Sequence, residues 1–88
     1  FIPDGVTIED NVFVGPGVIF TNDPHLRCQG SEFWENTIVK KGAKIGAGVT
    51  IKAGVVIGEG VTIGMGSVIL ENVPDRETWV GNPGHKIR

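Results

Sequence analysis

The stretch Ile45-Gly46-Ala47-Gly48-Val49-Thr50-Ile51-Lys52-Ala53-Gly54-Val55-Val56-Ile57-Gly58-Glu59-Gly60-Val61-Thr62-Ile63-Gly64-Met65-Gly66-Ser67-Val68-Ile69 decides the fold, because it repeats every six residues. An isoleucine recurs at Ile45, Ile51, Ile57, Ile63 and Ile69, and a valine stands two residues ahead at Val49, Val55 and Val61. An amphipathic helix needs apolar residues at steps of three and four, which this pattern lacks. Its glycine and β-branched content also opposes a helix. A unit of six is too short for a hairpin and suits one short strand and one tight turn, where glycine supplies a positive φ. Three units make one triangular coil, so Ile45 is expected to stack on Ile63 and Ile51 on Ile69. Parallel rungs in such a solenoid lie about 4.8 Å apart. These aliphatics are read as core.

The same beat runs through the first part of the chain. Ile2, Ile8, Val14 and Phe20 are six apart, with Val6, Val12 and Val18 two residues ahead of the last three. It resumes at Val39, and Ala43 precedes Ile45 as the valines precede the later isoleucines. Between Phe20 and Val39 the step is 19, which is not a multiple of six. One ordinary step of six is expected there, with about 13 residues extruded from the coil. The predicted organisation is a single all-β domain over 1–88: a coil block at 1–20, an extruded loop at 21–37, a coil block at 38–70 and a C-terminal segment at 71–88.

Composition narrows the function. A chain of 88 residues holds at most one domain, and burial at that size favours a repeat stack or an oligomer. The net charge of -2 gives no general attraction for nucleic acid or a membrane surface. No apolar run approaches the roughly 20 residues of a membrane span. One cysteine cannot form an internal disulfide and favours a reducing, cytoplasmic setting. The chain starts at Phe1, inside a repeat, and is read as part of a longer protein. The 14 glycines are interleaved with Ile and Val on the beat, unlike those of a flexible linker.

The extruded segment concentrates reactive side chains, the usual lot of a loop leaving a rigid scaffold. His25 has an unperturbed pKa suited to proton transfer near neutrality, and Arg27 has the planar fork that binds anions. Asn22-Asp23-Pro24 is also a plain turn initiator. Cys28 reads as a small filler, and Phe33 and Trp34 as anchors of the loop on the coil wall.

The six-residue units resemble those of the hexapeptide acyltransferase family. That resemblance implies a left-handed parallel β-helix, acetyl-CoA as co-substrate, no metal, and a homotrimer with sites between subunits. The string Phe20-Thr21-Asn22-Asp23, followed by Arg27 and Trp34, resembles the loop of members that N-acetylate nucleotide-linked 3-amino sugars. It implies Asn22 beside the acceptor amine, and Asp23 and Arg27 on the substrate. His25 is either the base or a spectator, since this subfamily can act by positioning alone. The residues His25-Leu26-Arg27-Cys28 depart from the aromatic and proline that many relatives carry before the Arg. The coenzyme, lying between two helices, would approach Gly46, Ala47, Gly64 and Met65. The tail Val80-Gly81-Asn82-Pro83-Gly84-His85-Lys86-Ile87-Arg88 resembles the family's closing segment, with Gly84 where an Ala is usual. It adds Asn82, and Lys86 and Arg88 for the phosphates.

Other readings stay open. Acyl transfer to a different small acceptor through oxygen, or a β-helix piece without catalysis, fits the same repeats. The zinc anhydrases of this fold use three histidines, and the chain has only His25 and His85. Thr7, Thr50 and Thr62 do not make the sustained flat ladder of an ice-binding solenoid.

Overall fold

The computed structural model describes residues 5–21 and 36–88. The hexad aliphatics lie in strands two to four residues long. The first coil holds β1 (Val6–Ile8), β2 (Phe13–Val14) and β3 (Ile19–Phe20); the second holds β4 (Thr37–Val39), β5 (Lys44–Ile45) and β6 (Thr50–Ile51). The third holds β7 (Val56–Ile57), β8 (Thr62–Ile63) and β9 (Val68–Ile69); β10 (Thr78–Gly81) and β11 (Gly84–Lys86) close the chain. Successive coils stack into three faces: β1-β4-β7, then β2-β5-β8-β10-β11, then β3-β6-β9. Every pairing is parallel except β10 with β11. Among the described residues no helix is long and apolar enough to cross a membrane.

The registers match the expected columns. Ile45 pairs with Ile63, and Ile51 with Ile69. Ile8 pairs with Val39 and Val39 with Ile57. The first of these two steps is the longer, so the second coil begins late by the length of an insertion. The coil block starts at Thr37, one residue before the reading at 38, because Thr37 already pairs with Val6. The columns also run past Ile69, where the sequence series stops: Val73 bridges to Ile57 and Trp79 pairs with Ile63. Each pair is closer in sequence than Ile45 and Ile63, so this turn is two residues short. The Asn72 side chain closes the gap by accepting the Val56 N–H at 2.9 Å; one coil earlier the Ile38 N–H reaches the Val55 carbonyl. The insertion and the two-residue deletion both fall at the corner that leads from the third face back to the first.

The interior is a dry aliphatic stack. Val39, Ala43, Ile45, Val49, Ile51 and Ile57 have no solvent exposure, and each such burial of a Val or Ile contributes roughly 1.5–3 kcal/mol. In the first coil the equivalent Val6, Ile8, Val12, Val14 and Val18 are only partly buried. Turns repeat with a positive φ at the same place, for example 72° at Gly48 and 84° at Gly54; Asn11 and Arg76 adopt it without being glycine.

Two threonines secure the ends of the inserted segment. The Thr21 hydroxyl accepts the Ala53 N–H at 3.0 Å, and the Thr37 hydroxyl accepts the adjacent Gly54 N–H at 3.0 Å. The chain therefore leaves and re-enters the coil beside one turn of the next coil.

Two outcomes check this account. Ile51→Ala is expected to lower unfolding free energy by about 2–5 kcal/mol, with a smaller loss for half-buried Ile8→Ala, both read from urea midpoints. Thr37→Val keeps the shape but orphans the Gly54 N–H, so a loss of about 1–3 kcal/mol is expected, recovered in part by Thr37→Ser.

Candidate functional site

Most turns of the coil expose a main-chain N–H that the ladder between coils does not use (Pro16, in the first coil, has none), and the three corners treat it differently. At the first corner, between the first and second faces, side chains of neighbouring coils accept it in the second and third coils. The Lys41 N–H donates to Glu9 Oε1 at 3.0 Å, and the Glu59 N–H to Asp75 Oδ1 at 2.9 Å. At the third corner Thr21 accepts the Ala53 N–H, while Thr37 takes the Gly54 N–H, whose counterparts at the other corners bond to a carbonyl of the preceding coil. The second corner, between the second and third faces, has no such side chains. It stacks Gly15-Pro16-Gly17, Gly46-Ala47-Gly48 and Gly64-Met65-Gly66.

There the ladder itself is intact. The Gly46 N–H donates to the Ile63 carbonyl and the Gly64 N–H to the Trp79 carbonyl, each at 2.9 Å. The Gly48 N–H reaches the Pro16 carbonyl and the Gly66 N–H the Ala47 carbonyl, also at 2.9 Å. The N–H groups of Ala47 and Met65, however, have no acceptor among the described residues. The cause is local sequence. The position that carries Glu9 at the first corner and Thr21 at the third carries Gly15 and Gly46 here. A Cβ on Gly15 would stand 2.7 Å from the Ala47 nitrogen, and one on Gly46 would stand 2.7 Å from the Met65 nitrogen. The Met65 side chain is 79 % exposed and leaves the corner open. The result is a strip of successive donors, about 4.8 Å apart, with almost no side chain over them.

Of the expected coenzyme residues, the structure brings Gly46, Ala47, Gly64 and Met65 together at this corner. Asn82 lies next to it, because the Gly81 N–H donates to the Ser67 hydroxyl at 3.1 Å and that hydroxyl donates to the Gly64 carbonyl at 2.6 Å. Lys86 and Arg88 are elsewhere. The chain reverses at Asn82 and Pro83, and β11 runs antiparallel to β10, back across the second face towards the first corner. Lys86 Nζ pairs there with Glu77 Oε2 at 3.4 Å, and the Arg88 carbonyl accepts the Thr78 N–H at 3.0 Å. A reversal of direction within so short a tail is invisible to a spacing argument.

Asn22, Asp23, His25 and Arg27 lie outside the described residues. Among the described residues no group of His, Cys, Asp and Glu is placed to hold a metal ion. The sequence reading missed Thr37 and Ser67, the two buried polar residues among those described, which are 2 % and 1 % exposed. A signal was present: each is a hydroxyl in a position that Val or Ala fills elsewhere in the repeat.

The model of the bacterial transferase hexapeptide (six repeats) matches residues 34–73. No curated protein sequence matches the chain. Among solved structures, serine acetyltransferase from Brucella abortus strain S19 superimposes with a TM-score of 0.82 at 28 % identity, over 98 % of this chain and 33 % of that one. Maltose O-acetyltransferase from Clostridium difficile 630 gives 0.80 at 35 % identity, over 94 % and 47 %. AntD, an N-acyltransferase from Bacillus cereus in complex with dTDP and 3-hydroxybutyryl-CoA, gives 0.79 at 28 % identity, over 94 % and 50 %. An AntD variant was solved with dTDP-4-amino-4,6-dideoxyglucose and coenzyme A. The chain thus spans a third to a half of the length of these structures. The hexad period, the matching repeat model and the near-complete superposition agree: residues 34–73 carry the hexapeptide repeat of the bacterial transferases, and the chain folds as a left-handed parallel β-helix.

Proposed function

We propose that these coils carry the donor site of an acyl-CoA-dependent acyltransferase that acetylates the amino group of a nucleotide-linked sugar. The observation that supports it is the second corner, where the Ala47 and Met65 amides stand on successive rungs without side-chain acceptors. The pantetheine arm of coenzyme A is an extended chain with two amides. Its carbonyls suit a line of main-chain donors, and glycine allows the close approach. Gly46 and Gly64 serve as the floor of the strip, since their own N–H groups are taken by the ladder. Asn82 joins it from the hairpin. Lys86, already paired with Glu77, and Arg88 receive no direct contact in this reading.

The acceptor side falls to the inserted segment. Asn22 holds the amine near the thioester carbon, Asp23 and Arg27 hold the nucleotide sugar, and His25 takes the proton if a side chain does so. The unprotonated amine attacks the acyl carbon at roughly 3–3.5 Å, a geometry that positioning alone can supply. A main-chain N–H stabilises the oxyanion, the C–S bond breaks, and the departing thiolate ends as a thiol. The proposal includes a homotrimer in the cytoplasm, in keeping with exposed Phe13 and Ile19 on the second and third faces. The AntD complexes favour an amino-sugar acceptor. The higher TM-score of the serine enzyme and the 35 % identity of the maltose enzyme favour a second reading, transfer to a hydroxyl.

The test is release of free thiol from acetyl-CoA with nucleotide-linked 3-amino and 4-amino sugars, serine and maltose offered separately. Turnover with an amino sugar is expected. Turnover confined to serine or maltose selects the second reading, and no coenzyme binding with no turnover defeats both. Gly46→Ala should weaken coenzyme A binding by about tenfold or more in calorimetry, because the added methyl crowds the Met65 amide. His25→Ala should lower kcat/KM by about 10²–10⁴-fold if His25 is the base, and a fall below about tenfold excludes that role.

A further inference from the structure

Ser67 is the buried polar residue whose purpose the repeat does not explain. It occupies the inward column of Val18 and Val49 and is 1 % exposed. Its hydroxyl is fully engaged, donating to the Gly64 carbonyl at 2.6 Å and accepting the Gly81 N–H at 3.1 Å. The two partners flank the turn that presents Met65 and the reversal that presents Asn82.

The need for this bridge follows from the ladder at the second corner. Gly48 bonds to Pro16 and Gly66 to Ala47, each one rung onward. The next bond in that series would end on the Met65 carbonyl, and no N–H among the described residues makes it. The chain leaves the coil at this point for the hairpin, and the Ser67 hydroxyl ties it down instead. Met65 is therefore left with a donor and an acceptor both unpartnered among the described residues, which is the complement of a secondary amide. Val80 covers Gly64, with its Cγ1 2.6 Å from where a Cβ on that glycine would stand, so the turn packs directly against β10.

We propose that Ser67 is a positioning residue of the donor site, holding the last rung against the hairpin so that the Met65 main chain and Asn82 meet the coenzyme at a fixed spacing. The inference rests on the donor site proposed above. It commits to the hydroxyl, whereas a filler of the column would need only the shape.

Valine and threonine separate these roles, being alike in shape and different in the hydroxyl. Ser67→Val installs the residue that Val18 and Val49 already supply, so folding, followed by circular dichroism, is retained. Coenzyme A binding, measured by calorimetry, should weaken about tenfold in Ser67→Val and stay near wild type in Ser67→Thr. The KM for acetyl-CoA should rise in step in Ser67→Val while the KM for the acceptor stays put. Amide exchange at Gly81 should quicken in Ser67→Val alone, a readout that needs no ligand. Equal affinity in the two variants, or unchanged exchange at Gly81 in Ser67→Val, overturns the proposal. Wild-type protein that binds no coenzyme A overturns the donor site itself and this inference with it.

Discussion

Ile45 resting on Ile63, and Ile51 on Ile69, sets the constraint that the other features obey. Parallel rungs stacked in register tolerate no slip, because a shift of one residue turns every inward side chain outward. An insertion or deletion must therefore be absorbed wholly within a corner. The added segment and the two missing residues both enter at the third corner. The other two corners keep the beat from the first coil to the third. Continuity at the second corner is what makes an uninterrupted strip of main-chain groups possible there.

The corners differ because of what stands at one position of the repeat. Glu9 and Thr21 close their corners by accepting turn amides. Gly15 and Gly46 leave theirs open. The same backbone thus has the turn N–H groups of Lys41, Ala53 and Glu59 capped by side chains and those of Ala47 and Met65, on successive rungs of one corner, left open. A buried polar group without a partner is costly, but these amides are at the surface and bear no such penalty. The fold can hold them unpartnered without losing the stack.

Much of this was legible in the residues. The period of six excludes a helix and fixes which isoleucines touch, and the step of 19 between Phe20 and Val39 gives the size of the insertion. The continuation through Val73 and Trp79 was not legible, because a step of four breaks the beat and only the Asn72 side chain repairs it. Handedness does not follow from a period; it came with the resemblance of the repeats to the hexapeptide acyltransferases. Gly46, Ala47, Gly64 and Met65 share a corner because they share a phase in the repeat. Lys86 and Arg88 do not join them, since the chain reverses at Asn82 and Pro83. Thr37 and Ser67 differ from the valines of their columns by hydrogen bonds that a period does not encode.

The open strip at the second corner is built from main-chain atoms, and this bears on how such a scaffold diversifies. A recognition surface without side chains has few letters to mutate: apart from replacing a glycine, substitution leaves its hydrogen-bonding groups where they were. The insertion falls between β3 and β4, at a corner, so its length and content can change without shifting the registers on either side. Under the proposed function, one scaffold can then keep its acyl donor over long divergence while its acceptor is rewritten. Serine, maltose and amino-sugar enzymes sharing these coils are what that separation would produce.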